Sequence, residues 1–415
     1  MTTATSTPND SPDLPVIPAP RAASCPLAPP PEFAAWRESG RPRRALFQRR
    51  PTWVISRYHD IRAALVDPRL SADTIRDVVK AAMSTGEEPS PADGLPVIFP
   101  RIDDPEHNRL RRMMTAEFTV RRVEAMRPRI QELVDRFLDE MISQGPPADL
   151  VRDFALPVPS LVVCLLLGVP YNDHEFFQKH SIAGLDSRSD DDQRVTAVGA
   201  LYNYMFELVA RKEREPGDDL MSRLITDYVA TGKLGRETAA VNGMILLQAG
   251  HETTASMISL GTLALLEHPD HLERLRRTDD PATAAGTIEE LLRYLTIVHS
   301  LVERVALEDL TIGGQQIRAG ELVLMNLPAG NWDPAFVDNP DILDTDRDSR
   351  TRQHLGFGYG THQCIGQNLA RAELQIALVS LARRLPGLRL AVPSEELRFR
   401  NTQEIYGVEA LPVTW

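Results

Sequence analysis

The sequence predicts a mainly α-helical fold with a minor β region, and three observations lead to that prediction. Residues 241–266 contain no proline and are apolar over most of their length, and a helix of about 26 residues would span roughly 39 Å. Residues 123–141 repeat apolar side chains at the spacing of an amphipathic helix. The strand patterns are short, at residues 52–56 and in a hairpin over residues 311–317.

The composition is that of an ordinary globular protein. Of 415 residues, 42% are hydrophobic and 25% are charged, which is close to typical usage. The formal net charge of −12 argues against a nucleic-acid-binding role. An acidic redox partner would be repelled by this charge at long range, so its docking would need a local basic patch.

Cysteine content and the lack of targeting signals predict a cytoplasmic location. The three cysteines, Cys25, Cys164 and Cys364, offer no disulfide framework, which fits a reducing compartment. Residues 1–15 lack the charged-then-apolar pattern of a signal peptide. The most apolar run, residues 161–169, is too short to span a bilayer. We therefore expect a soluble protein without a membrane anchor.

The chain is expected to consist of an N-terminal arm and one domain. Prolines are dense in residues 1–31, and we expect an extended, poorly ordered arm there. Residues 32–415 show no internal repeat, and we expect a single domain. Within it, the polar segment 84–96 and the charged segment 186–194 are expected to be loops, the second a candidate lid.

One cysteine, Cys364, stands among glycines just before a predicted amphipathic helix. A helix N-terminus favours a thiolate over a thiol, and glycines let backbone N–H groups approach the sulfur. A lone thiolate held in this way suits one axial bond to a haem iron, whereas zinc would need three or four such ligands. The plainer interpretation is a buried, inert thiol, which is the commoner state of a free cysteine.

The residues around Cys364 favour the haem interpretation. Residues 357–366 read Phe-Gly-x-Gly-x-His-x-Cys-x-Gly, which closely resembles the haem-binding signature of the cytochrome P450 superfamily, in its soluble, actinobacterial form. The resemblance implies the cytochrome P450 fold, a triangular helical prism around the haem. It also implies that Cys364 is the axial ligand of the iron in haem b (iron protoporphyrin IX) and that Phe357 lies at the haem.

The resemblance further implies four residues that bind the haem propionates. These are His107 and Arg111, four residues apart on one helix face, together with Arg304 and His362. A buried carboxylate needs charge-assisted partners of this kind. From the residues alone, a solvated basic helix face around Arg111 and an exposed Arg304 on an edge strand stay open.

Residues 249–254, Ala-Gly-His-Glu-Thr-Thr, lie in the middle of the apolar stretch. They resemble the family's oxygen-activating motif, in which an acid and an alcohol, here Glu252 and Thr253, deliver protons for O–O bond cleavage. Gly250 costs about 1 kcal/mol in a helix interior relative to alanine, and a ligand groove in a locally opened helix would explain it. The alternative is a solvent-facing Glu252 and a Thr253 bonded back to the carbonyl four residues earlier.

Glu290 and Arg293 are spaced i, i+3 on a predicted helix, as in a common surface ion pair worth under about 1 kcal/mol. The family has a Glu-x-x-Arg motif here that is tied to a later arginine, for which Arg347 is the candidate. The resemblance implies that these three residues brace the loop that holds the cysteine. Trp332 stands where the family usually has an arginine, so the role of that arginine is open.

The resemblance also implies a substrate pocket over the haem. Its residues would be Ala249, Gly250, Val298, His299, Leu301 and Val302. Loops 84–100 and 180–200 would complete the pocket, so the sequence does not define the substrate.

The implied function is a monooxygenase that hydroxylates or epoxidises an apolar small organic substrate, such as a secondary metabolite, a steroid-like molecule or a xenobiotic. It would use O2 and two electrons from NAD(P)H, passed through a ferredoxin reductase and a ferredoxin, because no flavin- or nicotinamide-type βαβ segment is visible. Docking is expected near Cys364, at Arg109, Arg112 and Arg371. A peroxygenase or nitric oxide reductase is an alternative, and a non-catalytic haem gas sensor is another, although no output domain is visible.

Overall fold

The computed structural model describes residues 14–74, 97–185 and 191–415. It is mostly helical with a minor β region, as predicted. The helices are Glu32–Glu38, Tyr58–Val66, Glu106–Thr115, Val120–Gln144, Pro157–Leu167, His174–Leu185, Asp191–Arg214, Leu220–Leu224, Arg236–Glu267, Pro269–Arg277, Pro281–Leu295, Leu327–Asn331 and Gln367–Arg384.

The strands form a six-stranded sheet, a three-stranded sheet and a two-stranded hairpin. We number them β1 (Val16–Ile17), β2 (Arg43–Phe47), β3 (Arg50–Ile55), β4 (Leu70–Ser71), β5 (Ala148–Asp149), β6 (Glu303–Ala306), β7 (Leu310–Ile312), β8 (Gln315–Ile317), β9 (Leu322–Met325), β10 (Arg389–Leu390) and β11 (Pro412–Thr414). The six-stranded sheet has the order β1-β2-β3-β9-β6-β4. It joins strands from distant parts of the chain and places β6 beside the candidate site.

The helix Arg236–Glu267, called the central helix below, packs against helices Pro157–Leu167, Asp191–Arg214 and Gln367–Arg384. Its residues are buried on nearly every side, and a helix surrounded by protein is apolar all round. It runs unbroken through Gly250, so the predicted local opening is wrong. A Cβ on Gly250 would lie 3.0 Å from Val163 Cγ2, and the glycine therefore serves the close approach of two helices.

Residues 14–31 belong to the fold, and the prediction of a poorly ordered arm is wrong for them. Strand β1 pairs in parallel with β2. The side chain of Arg21 is buried and donates hydrogen bonds to the carbonyls of Leu27, Leu295 and Thr296. Backbone pairing and these buried contacts hold the proline-rich segment in place. Residues 1–13 lie outside the described residues.

Two other predicted segments fall partly outside the described residues. Segment 84–96, predicted as a loop, lies wholly outside them. Of the charged segment 186–194, residues 186–190 lie outside, while residues 191–194 begin the helix Asp191–Arg214. The candidate lid therefore does not extend as a loop to residue 194.

Within the described ranges, no helix combines the length and the apolar character needed to cross a membrane.

Candidate functional site

Cys364 lies in a tight loop just before helix Gln367–Arg384, which we call the cysteine helix. The Cys364 N–H donates to the carbonyl of Phe357 at 2.9 Å and closes the loop. Gly358 and Gly360 have φ angles of +70° and +78°, which favour glycine. A Cβ on Gly360 would also lie only 3.1 Å from the Leu65 carbonyl oxygen. The glycines of the motif thus allow the loop to fold against its neighbours.

The thiol of Cys364 is exposed, unlike an inert core cysteine. The surrounding protein raises the pKa of Cys364 by desolvation, while the N–H groups of Gly366 and Gln367 and the cations Arg111 and Arg371 lower it. The N–H groups come from the start of the cysteine helix, where a thiolate is favoured.

The four predicted propionate-binding residues converge. His107, from helix Glu106–Thr115, is fully buried, and its ring stacks on His362 with centroids 3.9 Å apart. Arg304, from β6, is buried too, so the alternative of an exposed arginine is wrong. Burial lowers the pKa of His362 to about 3, helped by Arg304, His107 and Arg111. The His362 ring is therefore surrounded by the other three residues.

Two ring nitrogens in this cluster, Nε2 of His107 and Nδ1 of His362, are buried and have no hydrogen-bond partner within the described ranges. Nδ1 of His107 lies 3.5 Å from Asp104 Oδ1. Burial lowers the pKa of Arg304 to about 10, and its Nη1 donates to the carbonyl of Glu303 at 2.8 Å. Buried donors left unpaired are costly, and carboxylates would satisfy them. The cluster therefore fits the propionates of a haem whose iron Cys364 would bind.

Arg111, one of these four residues, and Phe357, on the cysteine loop itself, also make contacts that hold the loop. Arg111 Nη2 donates to the carbonyl of Gln363 at 2.6 Å. The guanidinium of Arg371 lies over the ring of Phe357, 4.6 Å from its centroid. Arg111 and Phe357 thus stabilise the loop itself, beside any contact to a cofactor.

In the central helix, Thr253 and Glu252 have different surroundings. The hydroxyl of Thr253 donates to the carbonyl of Ala249 at 2.7 Å, which is the bonding that the plainer interpretation predicted. The side chain of Glu252 is buried, so a solvent-facing acid is wrong. Glu252 Oε1 accepts a hydrogen bond of 2.9 Å from Nη1 of Arg400, 148 residues further along the chain.

His251, beside these two residues, is a packed histidine. Burial lowers its pKa to about 4, and its Nδ1 lies 3.3 Å from the carbonyl of Leu247. A neutral ring in this position takes part in the packing of the helix rather than in a charge cluster.

The predicted pocket residues divide into two groups. Ala249 and Leu301 are exposed, and Gly250, Val298 and Val302 are partly exposed. His299 is buried, accepts a hydrogen bond of 3.0 Å from Arg21 Nε and stacks on Tyr406. His299 is therefore part of the internal packing and not of a pocket wall, because its ring is already enclosed by these partners.

The predicted brace forms, and both members of its central ion pair are fully buried. Arg293 Nε and Nη2 donate to the two carboxylate oxygens of Glu290 at 2.8 and 2.7 Å. Arg347 Nε donates to Glu290 Oε1 at 3.1 Å. A surface ion pair is therefore the wrong interpretation. The arginines also bind carbonyls between residues 331 and 342. Their braced segment thus precedes the cysteine loop.

A second brace, which the sequence reasoning missed, reaches the cysteine loop directly. Glu289 accepts hydrogen bonds of 2.6 Å from Arg371 Nε and 3.2 Å from His354 Nε2. Burial alone would raise the pKa of Glu289, but His354 and Arg371 lower it to about 2. His354 Nδ1 accepts from the N–H of Gly356. The sequence did contain one signal for this second brace, namely the two adjacent acids Glu289 and Glu290.

Trp332, which departs from the family pattern, has a packing role. Its indole Nε1 donates to the carbonyl of Tyr294 at 2.8 Å, and the two rings lie 5.0 Å apart. The tryptophan thereby joins the end of helix Pro281–Leu295 to the braced segment.

Comparison with known proteins extends over the whole chain. A family model described as Cytochrome P450 matches residues 281–388. The chain is 49% identical to Cytochrome P450-SU2 of Streptomyces griseolus and 44% identical to a Vitamin D3 dihydroxylase of the same species, with 100% of each chain covered. The crystal structure of mycinamicin VIII C21 methyl hydroxylase from Micromonospora griseorubida, bound to mycinamicin VIII, superimposes with a TM-score of 0.86. That structure is 38% identical, and the match covers 97% of this chain and 100% of the other.

Proposed function

Because the chain belongs to the cytochrome P450 family, we propose that it holds one haem b through Cys364. The protein is a haem-dependent monooxygenase, an oxidoreductase that incorporates one oxygen atom from O2 into an apolar organic substrate.

One observation carries the assignment of the haem site. The cluster of buried His107, buried Arg304 and half-buried His362 contains buried ring nitrogens without partners in the described ranges, and it lies beside the loop of Cys364, to which Arg111 is bonded. A thiolate for the iron and a set of donors for two carboxylates together match iron protoporphyrin IX.

The bound haem supplies the activation of dioxygen, which its thiolate ligand promotes. Thr253 and Glu252 supply the protons. Because the Thr253 hydroxyl donates to Ala249, its oxygen lone pairs are left to accept a hydrogen bond from a water molecule. Glu252 then provides an ionisable oxygen through which protons reach that water.

The substrate is proposed to be an apolar molecule of the secondary-metabolite, steroid-like or xenobiotic kind. Exposed apolar side chains at Ala249 and Leu301 suit such a molecule. Relatives named for vitamin D3 and for mycinamicin VIII support the choice. Titration with a ligand panel that includes both compounds, followed by the absorption change on displacement of water from the iron, tests it.

The cofactor assignment is tested by absorption spectroscopy. The reduced wild-type protein is expected to bind carbon monoxide with the red-shifted band of a sulfur ligand, and Cys364→Ser is expected to lose both this band and turnover. With isotope-labelled O2, one labelled atom is expected in the product. A variant that keeps the band would show that Cys364 is not the ligand.

Electrons are proposed to come from a ferredoxin and an NAD(P)H-dependent ferredoxin reductase. Of the basic residues predicted to dock it, Arg109 and Arg112 are exposed. Arg371 is bound to Glu289, so it is corrected to a structural residue. Arg112→Glu is expected to slow reduction by ferredoxin several-fold at low ionic strength, and Arg43→Glu, on β2, serves as control. An equal rate in both variants would place the docking surface elsewhere.

The alternative functions are less well supported. Glu252 and Thr253 provide groups for proton delivery, which favours dioxygen activation over a peroxygenase or nitric oxide reductase. Relatives named as hydroxylases argue against a gas sensor. The cytoplasmic location stays a prediction from the cysteine content.

A further inference from the structure

Residues 399–408, which we call the C-terminal hairpin, lie directly on the central helix. Phe399 and Val408 form an antiparallel bridge, and the N–H of Arg400 donates to the carbonyl of Gly407 at 2.8 Å. A Cβ on Gly407 would lie 2.8 Å from Ser256 Oγ. Glycine at this position therefore allows the hairpin backbone to touch the helix one turn beyond Glu252.

The hairpin directs one cation at the buried acid of that helix. Arg400 Nη1 lies 2.9 Å from Glu252 Oε1, and the two side chains are 18% and 7% exposed. Since removing one partner of a buried ion pair leaves an uncompensated charge, the position of Arg400 matters for the state of Glu252.

We propose that Arg400 is a positioning residue, which fixes the carboxylate of Glu252 and keeps it ionised between proton transfers. The inference rests on the proposed proton delivery by Glu252 and Thr253, and it assigns the control of that delivery to a residue outside the central helix. The C-terminal hairpin thereby becomes part of the proton-delivery apparatus.

The hairpin is itself held firmly, so the backbone that carries the Arg400 side chain has a fixed position. The N–H of His299 donates to the carbonyl of Glu404 at 2.8 Å, and the N–H of Tyr406 donates to the carbonyl of Ile297 at 2.7 Å. The guanidinium of Arg21 lies over the Tyr406 ring, 4.0 Å from its centroid. Backbone pairing on one side and a packed cation on the other restrict the motion of the strand that carries Arg400.

The other ionisable groups on the elements packed around Glu252 are directed elsewhere or stay neutral. On the hairpin, Glu404 accepts from Gln48 Nε2, and the Tyr406 hydroxyl donates to the carbonyl of Pro26. On helix Pro157–Leu167, the ionisable side chain is Cys164, whose pKa burial raises to about 12. On the central helix itself, burial lowers the pKa of His251 to about 4. Among these groups, Arg400 supplies the positive charge.

The proposal predicts a specific change when Arg400 loses its charge. A buried carboxylate that loses a cation from hydrogen-bond distance takes up a proton at higher pH, typically by about one to three pH units. The coupling, measured as product formed per NAD(P)H consumed, falls at low pH. In Arg400→Met, the pH of this fall is expected to be higher by about that amount. Arg400→Lys keeps the charge, and the pH of its fall is expected to stay near that of the wild type.

The protonation state can also be measured without turnover. An infrared band of a protonated carboxyl group is expected in Arg400→Met at neutral pH, absent from the wild type and from the double variant Arg400→Met/Glu252→Gln. Arg398→Met is the matched control, because Arg398 is an exposed arginine on the same chain segment. Its spectrum and its pH profile are expected to be those of the wild type.

If Arg400→Met does not fold, a second variant tests the same contact. Gly407→Ala adds a methyl group that clashes with Ser256 and moves the hairpin while keeping the guanidinium. The pH at which coupling falls is expected to move in the same direction by a smaller amount.

The outcomes separate this proposal from the one it rests on. If Glu252→Gln loses coupling but Arg400→Met or Gly407→Ala keeps the wild-type pH profile and infrared spectrum, Arg400 does not position the acid. If Glu252→Gln keeps full coupling, proton delivery by Glu252 is wrong, and the positioning role is overturned with it.

Discussion

The two sides of the candidate site treat buried charge differently. On the cysteine side, two adjacent buried acids are each held by two basic partners: Glu289 by Arg371 and His354, and Glu290 by Arg293 and Arg347. On the central-helix side, Glu252 is bound by Arg400 at the end of a distant hairpin, and the neighbouring His251 is neutral.

This difference follows from what each side does. A loop that holds a ligand atom in place benefits from carboxylates that stay ionised and rigid, as the pKa of about 2 for Glu289 indicates. A residue that transfers protons, as proposed for Glu252, must change its protonation state, and a carboxylate forked between two cations does so less readily. The comparison teaches that a rigid brace and proton transfer place different demands on a buried carboxylate.

The largest expected effect comes from breaking the cysteine-side brace. Arg293→Met leaves the fully buried Glu290 with fewer charge partners, and we expect a loss of about 3–5 kcal/mol in the free energy of unfolding. Urea denaturation of the purified protein measures it.

The matched control for that experiment is Arg276→Met. Arg276 and Glu273 have the same i, i+3 spacing and hydrogen bonds of 2.7 and 2.6 Å, but both side chains are partly exposed. We expect a loss below about 1 kcal/mol there. Equal losses in the two variants would mean that burial does not distinguish the pairs.

A second effect, on the central-helix side, depends on pH. His251 titrates at about 4 in the folded protein and at the ordinary value of 6.5 when unfolded, so the unfolded chain binds more protons between these values. The stability that this neutral ring contributes is present above pH 6.5 and is lost as the pH falls through about 4, a change on the order of 3 kcal/mol.

His251→Met is therefore expected to flatten the loss of stability between pH 6.5 and 4, measured as the free energy of unfolding at several pH values. His59→Met is the control, because His59 is exposed. An unchanged acid dependence in His251→Met would show that other groups cause it.

The smallest expected effect is on coupling at the acid–alcohol pair. Thr253→Ala removes the hydroxyl that would hold the water, and product formed per NAD(P)H is expected to fall about tenfold, with peroxide released instead. Thr262→Ala is matched to it, because Thr262 makes the same bond to the carbonyl four residues earlier, at 2.8 Å, and is buried. Normal coupling in both variants would remove Thr253 from the mechanism.

Much of the cysteine side could be predicted from the sequence. The motif at residues 357–366 singled out Cys364 and His362 as candidates, and the family's Glu-x-x-Arg motif, matched by Glu290 and Arg293, implied the brace. These features are local, since a turn of helix or a tight loop brings residues a few positions apart into contact. The central helix was predicted at residues 241–266 and observed at Arg236–Glu267, because apolar length without proline is a local signal too.

The errors arose where contacts join distant parts of the chain. Arg21 lies 278 residues from His299 in the sequence, yet their side chains are hydrogen-bonded. Because of this contact, His299 is enclosed by protein and residues 14–31 belong to the fold. Arg371 lies 82 residues from Glu289, which made a predicted docking residue structural. A single sequence carries no record of such pairings, because each residue looks the same whichever partner the fold brings to it.

By itself, then, the sequence determined the helical class of this protein and its cysteine motif, since both depend on neighbours within a turn or a loop. The tertiary structure alone decided which acids are held rigidly and that Arg400 reaches Glu252. Burial and long-range pairing set the charge of such groups, and both exist only once the chain has folded.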